Sequence, residues 1–249
     1  MCQLKYIFDV AFLPCEVLKE HDARIVVDLL RATTQITTFF DAGGSVLVPL
    51  TEVEEAFRMK ERLGDGWKIM GERGGLPAPG FDFGNSPLEL LNAGAPEFAV
   101  ITTSNGTRAL MRAACGCGRV LAGCARNAEA VCWDAVCSGQ NIGIVCAGRN
   151  GEFSLEDTVC AGMLVDKLLA LAPANGAEEM ELTDGAMSAM ALWHHFGPDI
   201  TAVCQESTHG KILSGLGFDN DLFFCGEIDA SSTVPVLRDV DGVPALVGR

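Results

Sequence analysis

From about residue 23 to residue 171 the chain alternates short apolar, β-branched runs with helix-forming stretches, and no other feature narrows its fold as far. Strands are expected at 23–28, 45–49, 67–70, 98–102, 119–122 and 142–146, each too short for a helix and flanked by polar or turn residues. Helices are expected from about Leu29 to Asp41, where Gly43-Gly44 stops the first, and after Thr51, where Thr51 and Glu54 form a capping box. Further helices are expected at 86–93, from near Asn105, at 126–138 and at 154–171. Strands alternating with helices mark a doubly wound α/β sheet. The last third differs, with helices near 181–196 and 199–206, then short strands at 222–225, 234–237 and 244–247, the last two joined by an Asp241-Gly242 turn. The expected fold is therefore α/β: a mixed, largely parallel sheet sandwiched by helices in three layers (α/β/α), with a C-terminal α+β portion. With 249 residues it reads as a single unit, 1–249, with subdomains at 1–172 and 173–249.

One connection does not fit a plain scaffold. Between the strand at 67–70 and the helix opening at Ser86-Pro87, residues 71–86 are rich in glycine and proline yet carry Glu72, Arg73, Asp82 and Asn85. Long polar connections in compact domains are usually functional or disordered. Leu76, Phe81 and Phe83 are expected to anchor this one as a folded active-site loop, with Asn85 reaching the substrate and Asp82 serving the turn.

Ligands of open α/β sheets collect at the carboxyl ends of strands, and polar residues gather at four of them. The first strand delivers Asp28, Arg31, Thr33 and Thr34; the third delivers Glu72 and Arg73. The fourth delivers Thr103-Ser104-Asn105-Gly106-Thr107-Arg108, and the strand ending at Cys146 delivers Arg149, Glu152, Ser154, Glu156 and Asp157. Any one set could be a helix cap; four together favour a site. The 103–108 turn, entering a helix, is the clearest anion cradle, because free N–H groups and the helix dipole favour a phosphate or sulfonate. Gly106 permits close approach, and Arg108 could complete the clamp or simply be a solvated helix charge. Asp28, Glu72, Glu152 and Asp157 form an oxygen-rich set that suits Mg2+ or Mn2+ rather than zinc. Glu156 and Asp157 also fall in a first helical turn, where carboxylates are favoured anyway. His209, within Ser207-Thr208-His209-Gly210, is read as a general acid, a substrate donor or a structural histidine. Asp229 is a further strand-end acid.

A net charge of −15 argues against nucleic acid and anionic membranes as partners, and requires a local basic site or a metal for an anionic substrate. No apolar run is long enough to span a bilayer, and residues 1–6 lack the features of a signal peptide. The eleven cysteines include no Cys-x-x-Cys pair; Cys132, Cys137, Cys146, Cys160 and Cys225 are expected at apolar positions. A reducing, cytoplasmic setting is expected, without zinc or a disulfide framework. Standard nucleotide-binding loops and the Gly-x-Ser-x-Gly elbow are absent from the sequence.

The blocks Asp28-Leu-Leu-Arg31-Ala-Thr33-Thr34, Gly71-Glu72-Arg73-Gly74-Gly75, Gly80-Phe-Asp82-Phe-Gly84-Asn85-Ser86-Pro87, Thr102-Thr-Ser-Asn105-Gly106-Thr107-Arg108, Phe153-Ser154-Leu-Glu156-Asp157 and Ser207-Thr-His209-Gly210 occur in that order. Together they resemble the 2-phosphosulfolactate phosphatases, the ComB family of coenzyme M biosynthesis, over essentially the whole chain. The resemblance implies a magnesium-dependent phosphatase that converts 2-phospho-3-sulfolactate to sulfolactate and phosphate. It implies metal ligands at Asp28, Glu72, Glu152 and Asp157, with Glu152 in a more variable stretch. It implies anion binding by Thr33, Asn85 and the Thr103–Arg108 turn together with Arg31 and Arg73, and catalytic roles for Asp28, Arg31, Glu72 and His209. Whether Asp28 attacks phosphorus or holds the metal stays open. Two other readings are kept: a phosphatase for another small phosphorylated 2-hydroxy acid, and a non-catalytic anion-binding protein. An apolar helix near 182–193 offers a packing surface that a homodimer would use.

Overall fold

A computed structural model describes residues 4–16, 20–196 and 198–249; the signal-peptide reading rests partly on residues 1–3, which lie outside these. In chain order the elements are β1 (Lys5–Ala11), β2 (Ala23–Val27), α1 (Ala32–Asp41), β3 (Val46–Leu50), α2 (Val53–Leu63), β4 (Trp67–Gly71), α3 (Pro87–Ala93), β5 (Phe98–Thr102) and α4 (Gly106–Ala114). They continue with β6 (Val120–Gly123), α5 (Ala128–Ser138), β7 (Asn141–Cys146), α6 (Leu155–Leu171), β8 (Glu179–Leu182), α7 (Asp184–Phe196), α8 (Ile200–Glu206), α9 (Thr208–Gly215), α10 (Asp219–Gly226), β9 (Val236–Val240) and β10 (Val243–Val247). The described strands form one sheet in the order β4-β5-β3-β10-β9-β6-β2-β7-β1-β8.

Most neighbours are parallel, but the β9–β10 hairpin is inserted in the middle and pairs antiparallel with β6 on one side and β3 on the other. Three successive antiparallel junctions reverse direction, so the block β4-β5-β3 runs opposite to the block β6-β2-β7-β1-β8. The fold is the expected three-layer α/β/α arrangement with a mixed sheet. Its parallel strands come in two opposed blocks rather than one doubly wound series.

The period-2 alternation of strand side chains assigns the layers. Ala23, Ile25 and Val27 of β2, with Ile142, Ile144 and Cys146 of β7, pack under α5, α6 and α8. Val26 and Val145, pointing the other way, join Leu47, Met70, Ala99 and Ile101 of the second block around α1 and α4. The outer face of that second block, with Val48, Ile69 and Val100, is covered by α2. One apolar cluster thus draws on both blocks, and the sheet curls around α1, whose residues Ala32 to Phe40 are all buried. Accumulated strand twist makes such curling the normal outcome for so many strands. Ile36 and Phe39 are fully buried in this layer, and each contributes about 1.5–3 kcal/mol.

Register then sets the site. Val27 pairs with Cys146, so the chain leaving β2 at Asp28 lies beside the chain leaving β7 at Ala147. Gly71 pairs with Thr102, so Glu72 emerges beside Thr103 and Ser104. Gly71 has φ +130, and a Cβ there would lie 2.0 Å from the Thr102 carbonyl oxygen, which only glycine avoids.

Several local expectations are corrected. β1 was not anticipated, and it lies between β7 and β8. Residues 222–225 are helical, within α10; a four-residue apolar run has no periodicity to separate strand from helix. Residues 179–182 form an edge strand before α7, and α9 was not anticipated. The Thr51 capping box does not form: Glu52 occupies the N-cap without a side-chain cap bond, and the Thr51 hydroxyl is 3.5 Å from Glu55. Leu76 does not anchor its loop, being 47% exposed. Phe81 packs edge-on against Phe57, and Phe83 pairs with Met70 and joins the inner core. Cys132, Cys146, Cys160 and Cys225 are buried, whereas Cys137 is exposed. Among the described residues no helix is long and apolar enough to cross a membrane.

Candidate active site

The loops leaving β2, β4, β5 and β7 enclose a chamber of about 90 Å³ with the start of α9. Asp28, Leu30 and Arg31 line it from the β2–α1 turn; Glu72, Gly74, Gly75 and Asn85 from the loop after β4; Ser104 and Asn105 from the start of α4. Arg149 and Asn150 come from the β7–α6 turn, and His209 and Ile212 from α9. Arg149 and His209 also line a second cavity of about 190 Å³, bounded by Glu152, Phe153 and Glu156.

Asp28 is 6% exposed, and its Oδ1 accepts the Ala32 N–H at 3.2 Å. Its other oxygen takes no hydrogen bond from a described residue and faces Gly106, where a Cβ would lie 2.7 Å away. Gly106 therefore lets α4 pack against the carboxylate. Burial is the main cause that raises the Asp28 pKa to about 6; His209 and the Ala32 N–H oppose the rise, while Glu72 and Glu156 add to it.

Glu72, 7% exposed, is an organiser of the cradle. Its Oε1 accepts the Ser104 N–H at 2.7 Å; its Oε2 accepts the Gly75 N–H at 2.8 Å and the Ser104 hydroxyl at 3.3 Å. The Ser104 N–H, expected to meet a phosphate, is thus already held by a carboxylate. Thr103 and Thr107 each donate a backbone N–H to the other's hydroxyl oxygen, and both are buried without lining the chamber. Thr33 likewise locks the β2–α1 turn: its hydroxyl donates to the Asp28 carbonyl and accepts the Asp28 N–H. Asn85 lines the chamber at 4% exposure with no partner for Oδ1 among the described residues. An orphaned buried acceptor at a chamber wall is a group that a ligand would complete.

The arginines divide by what already holds them. Arg31 donates to Asp221 at 2.7 Å and to the Gly75 carbonyl at 2.7 Å, with its guanidinium 4.1 Å from the centre of the Phe218 ring. Asp221 in turn accepts the Ser86 hydroxyl at 2.8 Å, tying α1, α3 and α10 together. Arg73 braces its loop through Glu72 O, Thr51 O and the Thr102 hydroxyl, and Arg108 pairs with Glu52 outside the chamber.

The four expected metal ligands are not brought together. Asp157 is buried with both carboxylate oxygens used by backbone, the Leu29 N–H at 2.9 Å and the Gly148 N–H at 3.1 Å. It stitches the β2 and β7 turns to each other, and burial pushes its pKa well up. Glu152 is exposed and lines only the second cavity. Among the described residues no group of three or more His, Cys, Asp or Glu is arranged to hold a metal. Asp229 caps α5 through the Glu129 N–H and pairs with Lys167.

Sequence reasoning set Glu156 aside as a dipole residue, yet it is 2% exposed with Oε1 3.4 Å from His209 Nδ1. Burial, the largest single cause, pushes its pKa up, but the bond and charge of His209 together with backbone and Ser154 hydrogen bonds hold it below the usual range. Asp221 was missed too, because its helix was taken for a strand. A buried acid outside every motif carries no sequence signal of its arginine partner.

The arrangement offers a carboxylate with an uncommitted oxygen, a carboxylate-held histidine, a helix start and an arginine around a small chamber, a set suited to an anionic ligand. The family model for 2-phosphosulpholactate phosphatase matches residues 12–240. A protein of Pseudothermotoga lettingae is 36% identical over 229 residues, 92% of this chain and 94% of the relative. One of Deinococcus radiodurans is 37% identical over 226 residues, covering 90% and 91%. One of Thermotoga maritima is 36% identical over 236 residues, covering 94% and 96%. Each is named a probable 2-phosphosulfolactate phosphatase. Matched over nearly its whole length, this chain belongs to the 2-phosphosulfolactate phosphatase family.

Proposed function

We propose that the protein is a Mg2+-dependent phosphatase that hydrolyses the phosphomonoester of 2-phospho-3-sulfolactate to sulfolactate and phosphate. The observation that carries this reading is the meeting of Asp28, the α4 start and His209, itself held by Glu156, around one small chamber, in a chain of this family.

Asp28 would hold the cation, with Glu72 beside it on the chamber wall; both Glu72 oxygens already accept backbone N–H groups, so Glu72 would add only a remaining lone pair. Asp28 fits, because one oxygen is uncommitted and its burial disfavours a lone negative charge. Two carboxylates are enough for Mg2+, which keeps several waters and takes further oxygens from substrate phosphate. When bound, the cation would supply neutralising charge to the phosphoryl oxygens and the departing alkoxide. The protein's own part is positioning and proton transfer. Asn105 at the α4 start and the Asn85 carboxamide orient the phosphoryl group. Glu156 holds His209 through Nδ1, which leaves Nε2 to protonate the departing C2 oxygen as water attacks phosphorus. In the competing scheme Asp28 itself attacks, and water then releases the aspartyl phosphate. A reducing, cytoplasmic setting accords with the unpaired cysteines.

The test is phosphate release from 2-phosphosulfolactate, phospholactate and phosphoglycolate, with Mg2+ or with EDTA. Activity that survives EDTA would remove the cation from the scheme. Release from the unsulfonated acids alone would shift the substrate to another small phosphorylated 2-hydroxy acid.

A further inference from the structure

An acidic chamber that accepts a multiply charged anion needs a cation not already neutralised by the protein. Arg73 and Arg108 do not line the chamber, and Arg31 does so only while paired with Asp221. Arg149 differs. It is half-buried, lines the chamber, and its guanidinium has no hydrogen bond or ion pair with any described residue. The backbone beneath it is fixed. Arg149 and Glu152 exchange N–H···O bonds of 2.9 Å in both directions, and the Asn150 N–H donates to Asn105 Oδ1 at 3.0 Å, fastening the turn to the start of α4. Five guanidinium donors therefore stand on a rigid base beside the chamber with no partner among the described residues.

Position decides which part of a substrate they meet. Asp28 and Glu72 line only the inner chamber, whereas Arg149 stands on the wall shared with the second cavity. A phosphoryl group drawn to the Asp28 end leaves the rest of a short acid lying toward that wall. We infer that Arg149 is the specificity-determining residue of this site, the cation that clamps the non-reacting oxyanion, sulfonate or carboxylate, of a phosphorylated 2-hydroxy acid. The inference rests on the phosphatase reading above. An arginine holds such a group through paired N–H···O bonds, which lysine, a point charge, cannot reproduce.

The experiment compares wild type, Arg149→Gln and Arg149→Lys on 2-phosphosulfolactate, phospholactate and glycerol 2-phosphate, whose three-carbon skeleton has no second acid group. Circular dichroism and thermal melts check that the variants fold. Arg149→Gln is expected to lower kcat/KM for the two acid esters by roughly 30-fold or more, chiefly through KM, and for glycerol 2-phosphate by less than about 3-fold. Arg149→Lys should recover part of the loss. Equal losses on acid and neutral esters, or a loss under about 3-fold on the acid esters, would overturn the inference while leaving an active wild type, and the phosphatase reading, intact. A wild-type enzyme inert on both acid esters would overturn that reading, and this inference with it.

Discussion

Replacing Asp28 by asparagine should destroy activity and make the metal-free protein more stable. Asparagine keeps the shape of the side chain and can still accept the Ala32 N–H through Oδ1. It removes a charge whose burial raises its pKa from 3.8 to about 6, despite the opposing pull of His209. The sign follows from proton binding. A raised acid pKa means the folded state holds the proton more tightly, so stability is lost as pH rises from 3.8 through 6. At 1.36 kcal/mol per unit the penalty levels off at about 3 kcal/mol above pH 7 and falls to about half of that at pH 5. In a chain of this length that is roughly 6–12 °C in melting temperature. Urea or thermal unfolding in EDTA at pH 7.5 and pH 5 measures it. The variant should be the more stable protein at pH 7.5, with a gap that narrows at pH 5, while phosphate release falls at least about 100-fold. Added Mg2+ should stabilise wild type and leave Asp28→Asn unmoved, because a ligand stabilises only the state that binds it. A variant less stable than wild type at pH 7.5, or a gap that ignores pH, would show that Asp28 carries no buried-charge penalty.

Other substitutions test separate parts of the site. Gly106→Ala places a methyl 2.5 Å from the Ala32 Cβ and 2.7 Å from Asp28 Oδ2; it should cost more than about 10-fold in kcat in a protein that still folds, read by kinetics and circular dichroism. Glu156→Gln should lower kcat by roughly 100-fold and move the pH–rate profile, since it weakens the hold on His209 Nδ1; an unchanged profile would take Glu156 out of the mechanism. Asp221→Ala leaves the Arg31 guanidinium buried without its counter-charge and the Ser86 hydroxyl without its acceptor. A loss of about 3–5 kcal/mol is expected in denaturant unfolding.

The sequence showed the layers of this fold more clearly than its connections. Strand and helix positions from β2 through α6 could be read because the strands are short apolar runs between polar or turn residues, and helices such as α3 and α6 open on a capping serine, Ser86 and Ser154. The reversal of β4-β5-β3 could not be read. It depends on where the β9–β10 hairpin inserts, a pairing between residues some 200 positions apart that no local pattern encodes. The Leu222–Cys225 run was misassigned for the opposite reason. Its local pattern is equally apolar in either state, and burial of Leu222 and Cys225 against α8 and α3 decides for helix.

The site shows the same division at the level of single atoms. Residue types at strand ends reveal which groups are near the chamber, because register carries Asp28, Glu72, Ser104 and Arg149 to neighbouring ends. They do not reveal which of those groups remain available, since that depends on three-dimensional partners. Asp157 and Glu72 are both acids at strand or helix ends, and each has both oxygens taken by backbone amides, yet Asp157 lies outside the chamber while Glu72 shapes its wall. Arg31 and Arg149 are both arginines on chamber walls, yet one is neutralised by Asp221 and the other is not. In an acidic chain of net charge −15, that difference decides which cation can meet an incoming anion. Chemistry at this site therefore follows from the hydrogen bonds left unmade, at Asp28, Asn85 and Arg149, and these are the positions where substitution should cost function without a matching loss of stability.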